Sequence, residues 1–248
     1  MSTPSLPPEP AAPMSEISRL TNVFVEPGET FRDLPRASRW WSPWLVVSVF
    51  SLIFVVLLSQ KIGFEQVSEN QIALSSRADQ FEKLPADQRQ AALDRTVAIT
   101  RVFSYGSPVL LLVMYLIVAG VLLGVFNAAM GAEIKFPTML SIVTYSGLVH
   151  LIGTVLAIVI MEAGAHADRY NVANPSGTNP AYYLDAASTN KFVYGMLTAL
   201  DAITIWSIVL MGVGVAAVSK VKRGTAIMTI VGLYLVWKLA ASGLAAAF

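Results

Sequence analysis

The stretch PVLLLVMYLIVAGVLLGVFNAAM, from Pro108 to Met130, decides the fold, because it carries no charged residue along its whole length. At about 1.5 Å of helical rise per residue it crosses a hydrocarbon layer roughly 30 Å thick. Inside such a layer no water satisfies backbone N–H and C=O groups, so the segment must be helical. Four more apolar runs accompany it, at about 40–59, 138–161, 192–219 and 224–248. Ser42-Pro43 and Ser107-Pro108 open two of the runs, and Pro137 precedes a third; proline's missing N–H costs nothing in a first helical turn. Trp40, Trp41 and Trp44 stand at the start of the first run, where indole rings favour the headgroup boundary. The fold class that follows is all-α: a polytopic membrane protein, a five-span transmembrane helical bundle with a helical extramembrane loop.

Composition narrows the function classes. The chain of 248 residues is 55% hydrophobic and only 13% charged, too little polar surface to coat a soluble globule. A net charge of +1 provides no basic field to recruit nucleic acid. With no cysteine, disulfides, thiolate metal sites and cysteine nucleophiles are all excluded. The leading residues show no signal-peptide pattern. Arg36, Arg39, Lys135, Lys220, Lys222 and Arg223 hug one face of the bundle, against Lys61, Arg101 and Lys191 on the other. The positive-inside rule therefore puts the N-terminus in the cytoplasm and the C-terminus on the opposite side of the cell (inner) membrane.

Outside the spans, residues 1–15 form a proline-rich tail expected to be disordered, and residues 16–39 a cytoplasmic interfacial helix region. Its apolar face is Ile17, Leu20 and Phe24. The loop 61–106 places Phe64, Val67, Gln71, Leu74, Ala78 and Phe81 at alternating spacings of three and four, until Pro85 breaks the pattern and a second helix begins. This reads as a helical hairpin folded on itself or on the membrane face; the sharper alternative is dimerisation through that seam.

Charges in hydrocarbon default to functional candidates. His150, Asp201 and Lys238 are the candidate intramembrane polar network. With the last two spans as an antiparallel hairpin, Asp201 and Lys238 differ in depth by about 7 Å, within lysine's reach. A pair, or a pair bridged by His150, would satisfy charge and fix helix register; a proton or ion pathway is the other reading. Gly120, Gly124 and Ala128, and Gly153 with Ala157, are small-residue stripes expected to let helices approach closely.

Catalytic patterns are missing. No HExxH, GxSxG or Gly-rich phosphate cradle occurs. Glu162, His166 and Asp168 cluster past the third span, but loop residues at a helix end are the better reading of them. Ser146 and His150 share a helical face without a recognisable oxyanion hole. No catalytic residue, cofactor or metal is expected.

The stretch Leu200-Asp201-Ala202-Ile203-Thr204-Ile205-Trp206-Ser207-Ile208-Val209-Leu210-Met211-Gly212-Val213-Gly214, followed by the Val218-to-Gly224 turn, resembles the Yip family in its prokaryotic form. Glu26-Pro27, Thr30-Phe31, Ala86-Asp87-Gln88-Arg89-Gln90, the segment Phe136 to Ser141, Tyr145-Ser146 and Asn174-Pro175 fit the same order. Eukaryotic members are Rab/Ypt-interacting membrane proteins. The resemblance implies a five-span bundle with a cytoplasmic N-terminus and a non-enzymatic role in membrane organisation, through the bilayer and other membrane proteins or self-association. The Asp-Leu-Tyr-Gly-Pro motif of eukaryotic members is absent, with Asp33-Leu34-Pro35 in a loosely similar place, so small GTPase binding is not carried over. The expectation is a non-catalytic scaffold; the alternative is a small-solute or ion transporter or channel using His150, Asp201 and Lys238.

Overall fold

A computed structural model describes residues 13–247, and among them there is no strand. Most of the proline-rich tail thus lies outside the described residues. The helices are α1 (Glu16–Val25), α2 (Pro27–Asp33), α3 (Trp41–Lys61), α4 (Phe64–Ala73), α5 (Ala78–Glu82), α6 (Ala86–Tyr105), α7 (Ser107–Gly124), α8 (Phe136–Gly147), α9 (His150–Glu162), α10 (Lys191–Thr198), α11 (Ala202–Val218) and α12 (Arg223–Ala247). α3, α7 with the π turn that follows it, α8 running on into α9, and α12 are each long and apolar enough to span a membrane.

The fourth apolar run departs from expectation. Residues 192–219 are not one rod: α10 and α11 meet at 52°, so the spans number four, or five if the bent pair is counted as one. Asp201 leaves the helical conformation at the break, with φ −71° and ψ 120°, and its side chain accepts from Thr204 N. The residue read as a charge inside a span is a helix N-cap, satisfying an amide that has no partner in the first turn.

α8 forms the centre of the bundle, buried continuously from Thr138 to Gly147. Beside it runs α11, packed on α12, α2 and α8. Its Gly212 and Gly214 allow that closeness: a Cβ at Gly212 would strike the backbone and side chain of Ile227, and one at Gly214 would strike Ile142 and Phe31. The expected stripe on α7 is placed differently. A Cβ at Gly120 or Gly124 meets nothing within 4 Å, and the same is true of Gly153. Ala128 is exposed, while Ala157 is buried at 2% exposure. Small residues permit approach, but the facing helix decides whether it happens.

The N-terminal pair α1–α2 docks on α8 and α11. Val23 and Phe31 are fully buried, and Phe24 meets Trp206 edge-on with ring centroids 6.2 Å apart. Of the expected apolar face, Leu20 and Phe24 pack on the core while Ile17 is 76% exposed. The buried face instead includes Arg19, at 1% exposure. Its Nη2 and Nε lie 2.6 and 2.7 Å from Asp33 Oδ2, and Nη1 lies 3.2 Å from Glu16 Oε2. Burial works against the charge of Arg19, yet Asp33 and then Glu16 outweigh it and hold the guanidinium above its ordinary pKa. Tyr145 of α8 donates its hydroxyl to Glu16, tying this ion network to the bundle.

On the opposite face, α4 packs against α6 as a hairpin. Phe64 and Val67 of the seam are buried, Gln71 is exposed, and the helix stops between Ala73 and Ala78, so the seam is not one continuous coil. The connection after α9 lies on α4: Asn70 Nδ2 donates to Ala167 O and Tyr170 O at 2.7 and 3.0 Å. Lys191 Nζ ties the same layer to Leu74 O at 2.8 Å, and Lys61 pairs with Glu162 at 2.8 Å.

Candidate intramembrane site

The break between α10 and α11 is where polar chemistry collects. The connection before α10 reaches down to it: Ala202 N donates to Thr178 O at 3.0 Å, and Thr178 Oγ1 donates to Asp201 Oδ1. Asp201 Oδ2 accepts from both Thr204 N and Thr204 Oγ1 at 2.7 Å. Asn179 Nδ2 donates to Asn174 Oδ1 at 2.8 Å, and Asn174 Nδ2 to Tyr194 OH at 3.1 Å. Asn174, Ser176 and Asn179 are buried although they belong to a loop. The freed backbone at the break is satisfied by this descending segment, the condition for irregular chain at membrane depth.

A cavity of about 560 Å³ opens beside the break, and His150, Asp201 and Lys238 all line it. The sequence-based network is therefore brought to one place, but not as the ion pair expected. Lys238 Nζ donates to Thr198 Oγ1 at 2.9 Å and lies 5.5 Å from the centre of the Trp237 ring. Asp201 is held by threonines rather than by lysine, so the two charges both line the cavity without a direct ion pair between them. His150 Nδ1 lies 3.2 Å from Gly147 O. A carbonyl oxygen can only accept, so Nδ1 bears the hydrogen and Nε2 is the nitrogen left for the cavity. A second cavity of about 770 Å³ shares Asn174, Pro175 and Tyr194 with the first and extends under α4 and the connection after α9.

The hydroxyl–imidazole couple weighed from sequence does not form, since Ser146 Oγ is buried with no hydrogen-bond partner and the imidazole turns to Gly147 O. Among the described residues no trio of His, Asp and Glu is grouped to hold a metal; Glu162 is engaged by Lys61, and Asp168 lies 3.8 Å from Arg169. The site thus offers one fixed cation, one fixed anion, an imidazole acceptor and several hydroxyls and amides: a binding chemistry. Sequence reasoning missed Thr178, Thr198, Asn179 and Tyr194. The only available signal was Asp201 with Thr204 three residues on, a capping pattern inside an apolar run.

The family model described as Yip1 domain matches residues 21–243. No curated protein and no solved structure matches the chain.

Proposed function

This chain belongs to the Yip1 domain family, and from that premise we propose a non-catalytic role as a membrane-organising or protein-binding scaffold acting through partner contact. It sits in the cell (inner) membrane with its N-terminus in the cytoplasm and its C-terminus on the other side. The observation carrying this reading is the docked α1–α2 pair. Locked together by Arg19 and Asp33 and tied to the bundle through Glu16 and Tyr145, it keeps Ile17, Thr21 and Val25 outward at helical spacing. A face held rigid before contact loses little entropy on binding. Asp33, which opens the segment loosely resembling the eukaryotic motif, is turned inward to Arg19, in keeping with leaving small GTPase binding aside.

Photo-crosslinkers placed at Ile17 or Val25 in native membranes test the reading. Discrete adducts with other membrane proteins or a second copy are expected. Turnover of a lipid or peptide by the purified protein, lost in Ser146→Ala or His150→Ala, would refute it.

The cavity favours one further reading, a small-solute or ion transporter using His150, Asp201 and Lys238. Reconstituted flux that vanishes in Asp201→Asn would support it; no pH-linked flux across a broad solute panel counts against it.

A further inference from the structure

Independently of the contact role, we propose that the cavity beside the α10–α11 break binds the headgroup of a zwitterionic phospholipid, one bearing a phosphate and a primary ammonium, which enters sideways from the bilayer.

Charge pattern is the first argument. Lys238 and Asp201 line one wall-to-wall space, and each is held by threonine hydroxyls, not by the other. An anion alone would bring its charge against Asp201, and a cation alone would bring its charge against Lys238. A ligand with both charges answers both: its phosphate lies on Lys238 Nζ and Thr198 Oγ1, its ammonium on Asp201 and His150 Nε2. Three hydrogen bonds already reach the Asp201 carboxylate, which leaves it acceptor capacity for an ammonium.

Depth is the second. Lys238 follows Arg223, the first residue of α12, by 238 − 223 = 15 positions. At about 1.5 Å per residue it stands roughly 22 Å along a layer about 30 Å thick. That is close beneath the headgroups of the leaflet facing the 61–106 hairpin.

Access is the third. α12 packs on α10 and α11, and α9 on α3 and α11; among the described residues neither α10 nor α12 packs extensively on α9. The cavity lies in the gap between them, with His150 exposed on one side and Lys238 half-buried on the other. Phe54, Ala157 and Ile203 supply apolar wall, suited to the hydrocarbon that accompanies a lipid headgroup. Water-soluble phosphoethanolamine has the same charge pattern, and only its source differs.

Native mass spectrometry of the delipidated full chain, offered equal phosphatidylethanolamine and phosphatidylglycerol, tests the proposal. Retention of phosphatidylethanolamine in preference is expected. Lys238→Met removes a phosphate contact common to both lipids and weakens retention of phosphatidylethanolamine about tenfold without lowering the preference. Asp201→Asn instead reduces the preference about tenfold, the scale of one charge-assisted hydrogen bond. Asp201→Asn keeps a good N-cap and so keeps the fold; with Lys238 still present, it shifts the balance toward the anionic lipid. Equal binding of the two lipids, or an unchanged preference in Asp201→Asn, overturns the proposal. Soluble phosphoethanolamine binding as tightly as the lipid overturns the membrane source.

Discussion

Arg19 of α1 and Asp33 of α2 form a buried pair, with Asp33 Oδ2 taking both Nε and Nη2 of a guanidinium that is 1% exposed. Removing Asp33 leaves the buried guanidinium with Glu16 alone as its carboxylate partner. Asp33→Ala is expected to destabilise the docked pair by about 3–5 kcal/mol. The double change Arg19→Met with Asp33→Leu removes both charges and should cost far less. Because the chain has no cysteine, a cysteine placed at buried Val23 is a unique probe. Its maleimide labelling should rise in Asp33→Ala and stay low in the double variant.

Gly212 and Gly120 look alike in sequence and differ in surroundings. A methyl at Gly212 would lie 2.8 Å from Ile227 Cα, backbone that cannot turn aside. Gly212→Ala should therefore cost about 1–3 kcal/mol, as overpacking does, and lower the melting temperature in detergent. Gly120→Ala and Gly124→Ala should leave it unchanged or slightly raised. A loss at Gly120 equal to that at Gly212 would show that another molecule occupies the face of α7.

Asp201 is predicted to act on stability through its cap. Asp201→Ala leaves Thr204 N and Thr178 Oγ1 without their acceptor and should cost about 1–2 kcal/mol, whereas Asp201→Asn restores most of it. Thermal unfolding of the three proteins side by side decides the point, and equal losses in Ala and Asn would mean that the charge itself supports the fold.

Tyr170 lies outside the spans, 5% exposed, with a buried hydroxyl that has no hydrogen-bond partner. Burial, then Tyr182, pushes its pKa up from 10.0 to about 12. The folded state thus favours the protonated phenol. That preference is intact below the unfolded value and is lost as pH rises through the folded one, so stability should fall across this alkaline window. Tyr170→Phe removes the titration and a hydroxyl that bonds to nothing. Its stability at neutral pH should match or exceed the parent by up to about 1 kcal/mol, and its alkaline loss should be smaller.

The spans are legible because apolar length is a local property: Pro108 to Met130 announces itself without reference to anything else. The family order is legible for the same reason, being written along the chain. What hydropathy could not display is pairing between distant segments. Arg19 interrupts an apolar face by every local measure, and only Asp33, supplied by the next helix, makes its burial sensible. Asp201 counts as one charge in an apolar window, yet it ends one helix and begins another because Thr178 arrives from a loop before α10. Likewise Gly120 and Gly212 offer the same bare backbone, and only Ile227 distinguishes them. The cavity drew together the three ionisable residues chosen from sequence, while the hydroxyls and amides holding them came from segments with no periodic signature.

One joint in the chain has a mechanical meaning. α6, wholly outside the apolar run, ends at Tyr105, and α7 begins at Ser107 with Gly106 alone between them. Gly106 keeps a helical backbone, and its N–H still bonds to Val102 O at 2.8 Å. There is no slack at that seam. Whatever grips the 61–106 hairpin therefore holds a lever rather than a tether, and a pull on it would be felt as torque by a wall of the bundle.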